Sequence, residues 1–587
     1  MQVLSSLTNK AALIGHLAVA VASALLIVST ATATQAQTWA STATQGITIS
    51  NMPSATDAGP LDSQTSISVV VGLKTQNVSA LQQLVRAENT PGNPLYQTTI
   101  TPQQFLSSYA PTSSQVQAVT NYLQSFGFTN ITVEPNNLLI EANGTAAAAA
   151  SAFNTSFEQY ILNGSTVYAN TQPAQVPSSL SGTVLAVLGL NTVNRMATPL
   201  AVRTSGDCAE SVCLLNSEAP QGFWQAYDVG STPTGSKTPI AIFIFGSSAN
   251  IEDDLHVAEK ANGLPLVPVQ IQQIGTTNPS NLGGGEWQLD SQFSTGMAGA
   301  VKKLYIYDVS DPIDADIAQG FSHFVTDNLA RAGSASFGEC EYGPYLDGAA
   351  AIIDGELLEG SAQGQSVFAS SGDTGAACSV LPVDVNGTPD AGLPMVSYPA
   401  SSIYVMGVGG TSLFLNSTGG YSEEIAWNSG GGGIAQFSYC GYWQQNADVL
   451  SCEDGAKGVP DIAMDADPYE TAATIYYECG SAGASACQET GVGGTSLSSP
   501  LSLGVWARLL SASNNKLGYA PPNLYSFYQP GTYGVESTDP GFNDITVGTN
   551  GLYAAAPGWD FTSGLGSFDV SAINALLNPP KTTTKTK

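Results

Sequence analysis

Three short segments of this chain carry residues whose types and spacing suit hydrolysis. Gly493-Gly494-Thr495-Ser496-Leu497-Ser498-Ser499-Pro500 is a glycine-tight turn that presents Ser496 at the start of an apolar helical segment. There, backbone N–H groups and the positive end of the helix dipole assist acyl transfer. The same residues also read as a plain helix N-cap, and both roles can hold. A serine nucleophile needs a base, but the chain has only three histidines, His16, His256 and His323. His16 lies in an apolar leader, and the other two fall within polar helices. The substitute base is the pair Glu286 and Asp290 in Gly285-Glu286-Trp287-Gln288-Leu289-Asp290. Four residues apart on a helix, the two carboxylates share a face. One proton held between them relieves their repulsion. In acid a carboxylate still serves as a base where an imidazole is already protonated. The bland alternative is two solvated carboxylates on an exposed helix.

In Ser370-Ser371-Gly372-Asp373-Thr374-Gly375, Asp373 follows an apolar strand directly. Protonated in acid, its carboxyl can donate to an oxyanion; ionised, it repels one. The competing reading is an Asp that caps its own turn. A further pair, Asp544 in Asn543-Asp544-Ile545-Thr546 and Asp560 after Ala556-Pro557-Gly558-Trp559, offers hard oxygen ligands of the kind calcium takes. It lacks a regular EF-hand loop, and an Asx-turn without metal is the simpler version.

The elements around these residues follow from periodicity. Residues 66–74 read as a strand, and a helix starts at Thr101 with Pro102 at N1 and Gln104 completing a capping box. A second helix covers 114–126, a strand 137–142, and an alanine-rich helix ends near Phe153. Strands and helices alternating in so small a unit give an α+β domain of the ferredoxin type. Beyond it, apolar strands are predicted at 239–246, 300–307, 334–338, 366–370 and 403–408, with helices at 288–297, 317–331 and 355–363 between them. Such alternation indicates a doubly wound, mostly parallel α/β sheet whose loops at the strand C-termini form the crevice.

Composition narrows the function. The chain has 587 residues, enough for two or three domains, with 46 acidic and 16 basic side chains and a formal charge of −30. Only 11% of residues are charged, so self-repulsion in acid is capped by the few cationic groups. No basic patch exists to neutralise phosphates, which disfavours nucleic acid as a partner. Lys10, the apolar run 11–28 and the small residues to Ala36 read as an export signal, so the product is expected outside the cell and free of the membrane once the signal is cut. Eight cysteines suit an oxidising compartment. Cys208 and Cys213, Cys440 and Cys452, and Cys479 and Cys487 are close in sequence, and Cys340 and Cys378 follow two candidate sheet strands. Eight cysteines allow 105 pairings, and spacing does not choose among them.

Taken together, the serine, carboxylate-pair and aspartate segments resemble those of the sedolisins, the serine-carboxyl peptidases. The resemblance runs from about Ser63 to Asp569 and takes in Leu138-Leu139-Ile140-Glu141-Ala142-Asn143-Gly144-Thr145 of the N-terminal unit. It implies a subtilisin-like α/β domain preceded by an activation prodomain. Ser496 would be the nucleophile, Glu286 the base, Asp290 its orienter and Asp373 the oxyanion donor. One structural Ca2+ would be held by the carboxylates of Asp544 and Asp560 and the main-chain oxygens of Ile545, Ala556 and Gly558. Ala556 departs from the glycine common at that position. Phe245 stands where some members carry a Glu linked to the base, and Phe337 where they carry a Trp. The layout expected is a signal at 1–36, a prodomain at 37–194 with its core at 63–175, a linker with the processing site at 195–216, the peptidase at 217–577 and a polar tail at 578–587. The partners implied are polypeptide substrates and the chain's own prodomain, acting as inhibitor and chaperone of a monomer. Acid is expected to protonate carboxylates at the prodomain interface, loosen it and allow self-cutting. An acid-active endopeptidase, a tripeptidyl peptidase of the same chemistry, and a non-catalytic extracellular binding protein with this fold are the functions in play.

Overall fold

Strand propensity and capping chemistry set the N-terminal elements. β1 (Ser66–Leu73) is rich in β-branched residues, and its side chains alternate. Ile67, Val69, Val71 and Leu73 enter a small core of their own, while Val70 joins the large core of the rest of the molecule. Helices α1 (Val78–Glu88), α2 (Pro102–Ser108) and α3 (Ser113–Ser125) follow, and α2 and α3 each open on a complete capping box, Thr101 with Gln104 and Thr112 with Gln115. Then come β2 (Thr129–Val133), β3 (Leu139–Thr145), α4 (Ala146–Ala152), β4 (Phe157–Leu162), β5 (Ser165–Asn170) and β6 (Val184–Leu188). The core sheet is antiparallel in the order β2-β3-β1-β6. A hairpin of β4 and β5, turned by Asn163 and Gly164 at positive φ, pairs with Thr56–Pro60 in a second antiparallel sheet that the periodicity does not foretell.

The computed structural model describes residues 37–52, 54–202, 217–276, 278, 283–378, 393–479, 487–531 and 538–579. The expected signal, the linker beyond Val202 with Cys208 and Cys213, and the end of the tail lie outside them. From Trp39 onward the chain is one compact unit.

The large domain is built on β7 (Pro239–Phe245), β8 (Val269–Ile274), β9 (Lys303–Val309), β10 (Ala332–Ala335), β11 (Ser366–Ser370), β12 (Val405–Leu415), β13 (Tyr421–Ala426) and β14 (Ile462–Asp465). They form one sheet in the order β8-β9-β7-β10-β11-β12-β13, with β14 also on β12, and only the β12–β13 pairing is antiparallel. The sheet is thus the subtilisin-like, mostly parallel one expected. β8 was not foreseen, because its polar Gln270, Gln272 and Gln273 break the apolar run. Helices α5 (Glu286–Ala298), α6 (Asp314–Asp327), α7 (Ala349–Ala362) and α8 (Thr495–Ala512) pack on it. α8 is buried from Thr495 to Ser511, and it lies against α5 at Gly504, where a Cβ would stand 2.6 Å from the Met297 Cβ. Beside the main sheet, Ala201–Val202 pairs with β16 (Gln488–Gly493), which pairs with β15 (Ala472–Tyr477). Disulfides join Cys340 to Cys378, Cys440 to Cys452 and Cys479 to Cys487.

Candidate active site

α8 begins at Thr495 because Gly494, with φ of 89°, turns the chain out of β16 in a conformation that L side chains rarely adopt. Gly494 is therefore the cap, and Ser496, inside the first turn, does not serve as the N-cap. Pro500 lacks an N–H, so the Ser496 carbonyl has no helical partner four residues on. Ser336, just past β10, lies 3.4 Å from that carbonyl, and its single hydroxyl proton goes to Asp290 Oδ1 at 2.5 Å.

Glu286 and Asp290 occupy the first turns of α5, again after a glycine of positive φ, Gly285. Glu286, Asp290 and Ser496 are each 0% exposed, which rules out the solvated-helix alternative for the pair. Burial pushes both carboxyl groups well above the ordinary range. For Glu286 the repulsion of Asp290, and then of Asp373, adds to this rise, and Ser496 opposes it. Ser496 faces Glu286 but stops short of a well-formed hydrogen bond. Among the described residues neither the Ser496 hydroxyl, the Glu286 oxygens nor Asp290 Oδ2 has a partner at full geometry. Two buried carboxyls with no cation beside them can coexist only if at least one of them holds a proton. Such a pair is a base held ready by an acid.

Asp373 follows β11 as expected. Its Oδ1 accepts from the Thr495 N–H at 2.9 Å and the Thr495 hydroxyl at 2.8 Å. Its Oδ2 is buried and without a partner among the described residues. Burial raises the group to about 7 against those two bonds, so in mild acid Oδ2 carries a proton to donate. Phe245, Trp287 and Phe337 close the far side: Phe245 lies 5.0 Å from Trp287 and 5.8 Å from Phe337, ring to ring. His256 meets the Val267 carbonyl, and His323 faces Glu134 of the N-terminal domain; neither reaches Ser496.

Sequence reasoning missed two participants, Ser336, which holds Asp290, and Thr495, which orients Asp373; the expected linker was placed at 195–216, and its residues 195–202 run through the cleft. In that segment the Met196 N–H donates to the Pro312 carbonyl, and Ala197 and Gly338 exchange both of their backbone hydrogen bonds at 2.9 Å. Further on, Ala201 pairs with Gly493. A cavity of about 520 Å³ beside Ala197, Thr198 and Pro199 reaches Gly338, Asp373 and the Cys340–Cys378 bridge.

Asp544 and Asp560 come together. Asp544 Oδ2 accepts from the Gly558 N–H and Asp560 Oδ2 from the Ala556 N–H, both at 2.9 Å; burial, and then the repulsion of Asp560, raises Asp544 against the Gly558 bond. Ala556 avoids positive φ, so its methyl group is no obstacle to carbonyl ligation. Asp539, whose two buried oxygens lack partners among the described residues, also repels Asp544. Hard oxygens with no cation beside them fit Ca2+ in chemistry. Among the described residues, however, no group of three or more His, Cys, Asp or Glu side chains is placed to hold a metal, so main-chain oxygens would have to complete the set.

Residues 53–193 match the family model of the pro-kumamolisin activation domain. The chain is 37% identical to sedolisin of Pseudomonas sp. (strain 101) over 565 residues, 92% of each protein. It is 24% identical to tripeptidyl-peptidase 1 of Canis lupus familiaris over 563 residues, 89% of this chain and 93% of that one. Among solved structures it is similar to Pseudomonas sedolisin, a serine-carboxyl proteinase complexed with two molecules of pseudo-iodotyrostatin, at 33% identity and a TM-score of 0.53, covering 62% of this chain and 98% of the other.

Proposed function

The chain belongs to the sedolisin family of serine-carboxyl peptidases and carries an activation domain, and we propose that it is an acid-active endopeptidase exported as a zymogen. The observation that carries this reading is the convergence of Ser496, the buried Glu286–Asp290 pair and the partnerless Asp373 Oδ2 in one buried site. Glu286 takes the proton of Ser496 as its oxygen attacks a peptide carbonyl, while protonated Asp373 donates to the oxyanion. Glu286 then hands the proton to the leaving amine and later draws one from the water that releases the acyl group. Asp290, held by Ser336, keeps Glu286 in place.

Endopeptidase action is favoured over tripeptide release because the cleft holds chain well beyond three residues on its acyl side. Met196 and Arg195 continue outward from Ala197 along Pro312 and Ile313. If Ca2+ binds, Asp544, Asp560 and the carbonyls of Ile545, Ala556 and Gly558 would hold it, and it would tie two loops together with no part in the chemistry. Export through residues 1–36, a prodomain ending near 194 and a monomeric product complete the reading. The test is to acidify purified precursor beside its Ser496→Ala variant with a denatured protein added. Ser496-dependent internal cuts are expected. Release of tripeptides alone would favour the exopeptidase, and no difference between the two proteins would leave a binding protein with this fold.

A further inference from the structure

The segment leading out of the activation domain is fixed to the enzyme on both sides of Ser496. On one side Ala197 and Gly338 form a doubly bonded antiparallel pair. On the other, Ala201 pairs with Gly493, three residues before the nucleophile. Only Thr198, Pro199 and Leu200 lie between. The point a Gly494 Cβ would occupy is 2.5 Å from the Pro199 carbonyl oxygen and 2.5 Å from Asp373 Oδ2, with the Ala201 nitrogen at 3.1 Å. The Pro199 carbonyl oxygen and the partnerless Asp373 Oδ2 therefore both lie against Gly494, two residues before the nucleophile. The Leu200 side chain reaches Gly285, just before α5, where Ile475 of β15 also lies.

Resting on the peptidase reading, we infer that Pro199–Leu200 is the first bond this enzyme cuts in its own chain, and that Pro199 slows the cut. Ser496 Oγ bonds to the Pro199 carbonyl carbon, and the bond to the Leu200 nitrogen breaks. The proton from Ser496 passes through Glu286 to that nitrogen, and water then frees Pro199 as a carboxylic acid. The brake follows from the register. In an antiparallel ladder doubly bonded pairs recur every second residue, so after Ala197–Gly338 the next is residue 199 opposite Ser336. Proline has no N–H to give the Ser336 carbonyl. The bound segment lacks the hydrogen bond nearest the scissile carbonyl, and it occupies the cleft longer than an ordinary substrate would.

The experiment acidifies full-length precursor at several concentrations, follows new N-termini by mass spectrometry, and adds a denatured protein as an independent substrate. The first new terminus is expected at Leu200, absent in Ser496→Ala, with a rate independent of precursor concentration because the bond is already seated. Pro199→Ala restores the N–H, and its first cut is expected roughly three- to tenfold faster, the worth of one hydrogen bond. A first cut elsewhere while Pro199–Leu200 stays intact, or a Pro199→Ala precursor that opens no faster, overturns the inference. If the added protein is still degraded in a Ser496-dependent way, the peptidase reading survives that failure. If nothing is cut in any sample, both fall.

Discussion

Replacing Asp373 separates its two functions, because the structure fixes which oxygen does what. Oδ1 is held by two Thr495 donors, and Oδ2 faces the cleft alone. Asp373→Ala removes the oxyanion donor and should cost about 10² to 10³ in kcat, or about 2.7–4 kcal/mol. In Asp373→Asn the Thr495 N–H can only donate, so the amide oxygen must stay on it and the NH2 turns to the cleft. That variant keeps a donor and should lose no more than about tenfold. It also loses a pH dependence. Burial beneath the linker raises Asp373 to about 7, so the acid form that donates is present below that value and lost above it. Water entering the opened cleft lowers the midpoint, so wild-type kcat/KM should fall on its alkaline side at or below about 7. In Asp373→Asn that limb should move upward, to wherever the Glu286–Asp290 pair loses its proton. The assay is kcat/KM on an internally quenched peptide across pH. Variant precursors that cannot open themselves are first cut in the linker by an added protease that is then inhibited. An Asn variant as slow as the Ala variant at every pH, or one with the wild-type alkaline limb, would refute the assignment.

Three further outcomes can be checked on the Ser496→Ala precursor. Lys457, 1% exposed, donates to the carbonyls of Ala400, Ser402 and Val405 and pairs with Asp461 at 3.1 Å; Lys457→Met leaves Asp461 buried and uncompensated, and urea denaturation should show a loss of about 3–5 kcal/mol. Thermal stability should fall between about pH 4.5 and 8: burial raises Glu356 in the folded chain from 4.5 to about 8, so the fold binds a proton that the unfolded chain releases, and a melting temperature that rises over this window would contradict that sign. Added Ca2+ should raise the melting temperature, by the equivalent of about 2.7 kcal/mol at a hundred times Kd, and lose that effect in Asp544→Ala; an equal response in both proteins would place the ion elsewhere.

Local signals were legible where one short stretch decides the outcome. The capping box at Thr101 and Gln104, the apolar strand at Ser366–Ser370 and the shared face of Glu286 and Asp290 all stand as read. The β4–β5 hairpin had its signal in Asn163-Gly164, a turn pair that was passed over between strands of weak alternation. Ser336 and Thr495 were out of reach because their roles depend on partners 46 and 122 residues away. The acid-release expectation turns on the carboxyls of the prodomain contact. At the prodomain contact Asn136 donates to Glu356 at 2.7 Å and to Glu359 at 2.9 Å, and both carboxyls are buried and raised. Burial raises both groups, and the Asn136 bonds oppose that rise. Glu134 faces His323 at the same contact, 3.6 Å apart. Wherever burial displaces a carboxyl pKa among the described residues it does so upward, Glu88 to about 8 and Asp354 to about 6 included. A fold stabilised by proton uptake tolerates acid, and on the proposed reading its own cut in the linker is the event that frees the enzyme.

The most direct measurement is the single-turnover acylation rate of the opened enzyme in acid, compared among wild type, Glu286→Gln and the double variant His256→Ala, His323→Ala. Proton transfer from Ser496 to a carboxyl base predicts that Glu286→Gln loses at least about 10² in that rate while the histidine-free enzyme acylates as wild type does. Acylation that survives in Glu286→Gln and fails without the histidines would contradict it.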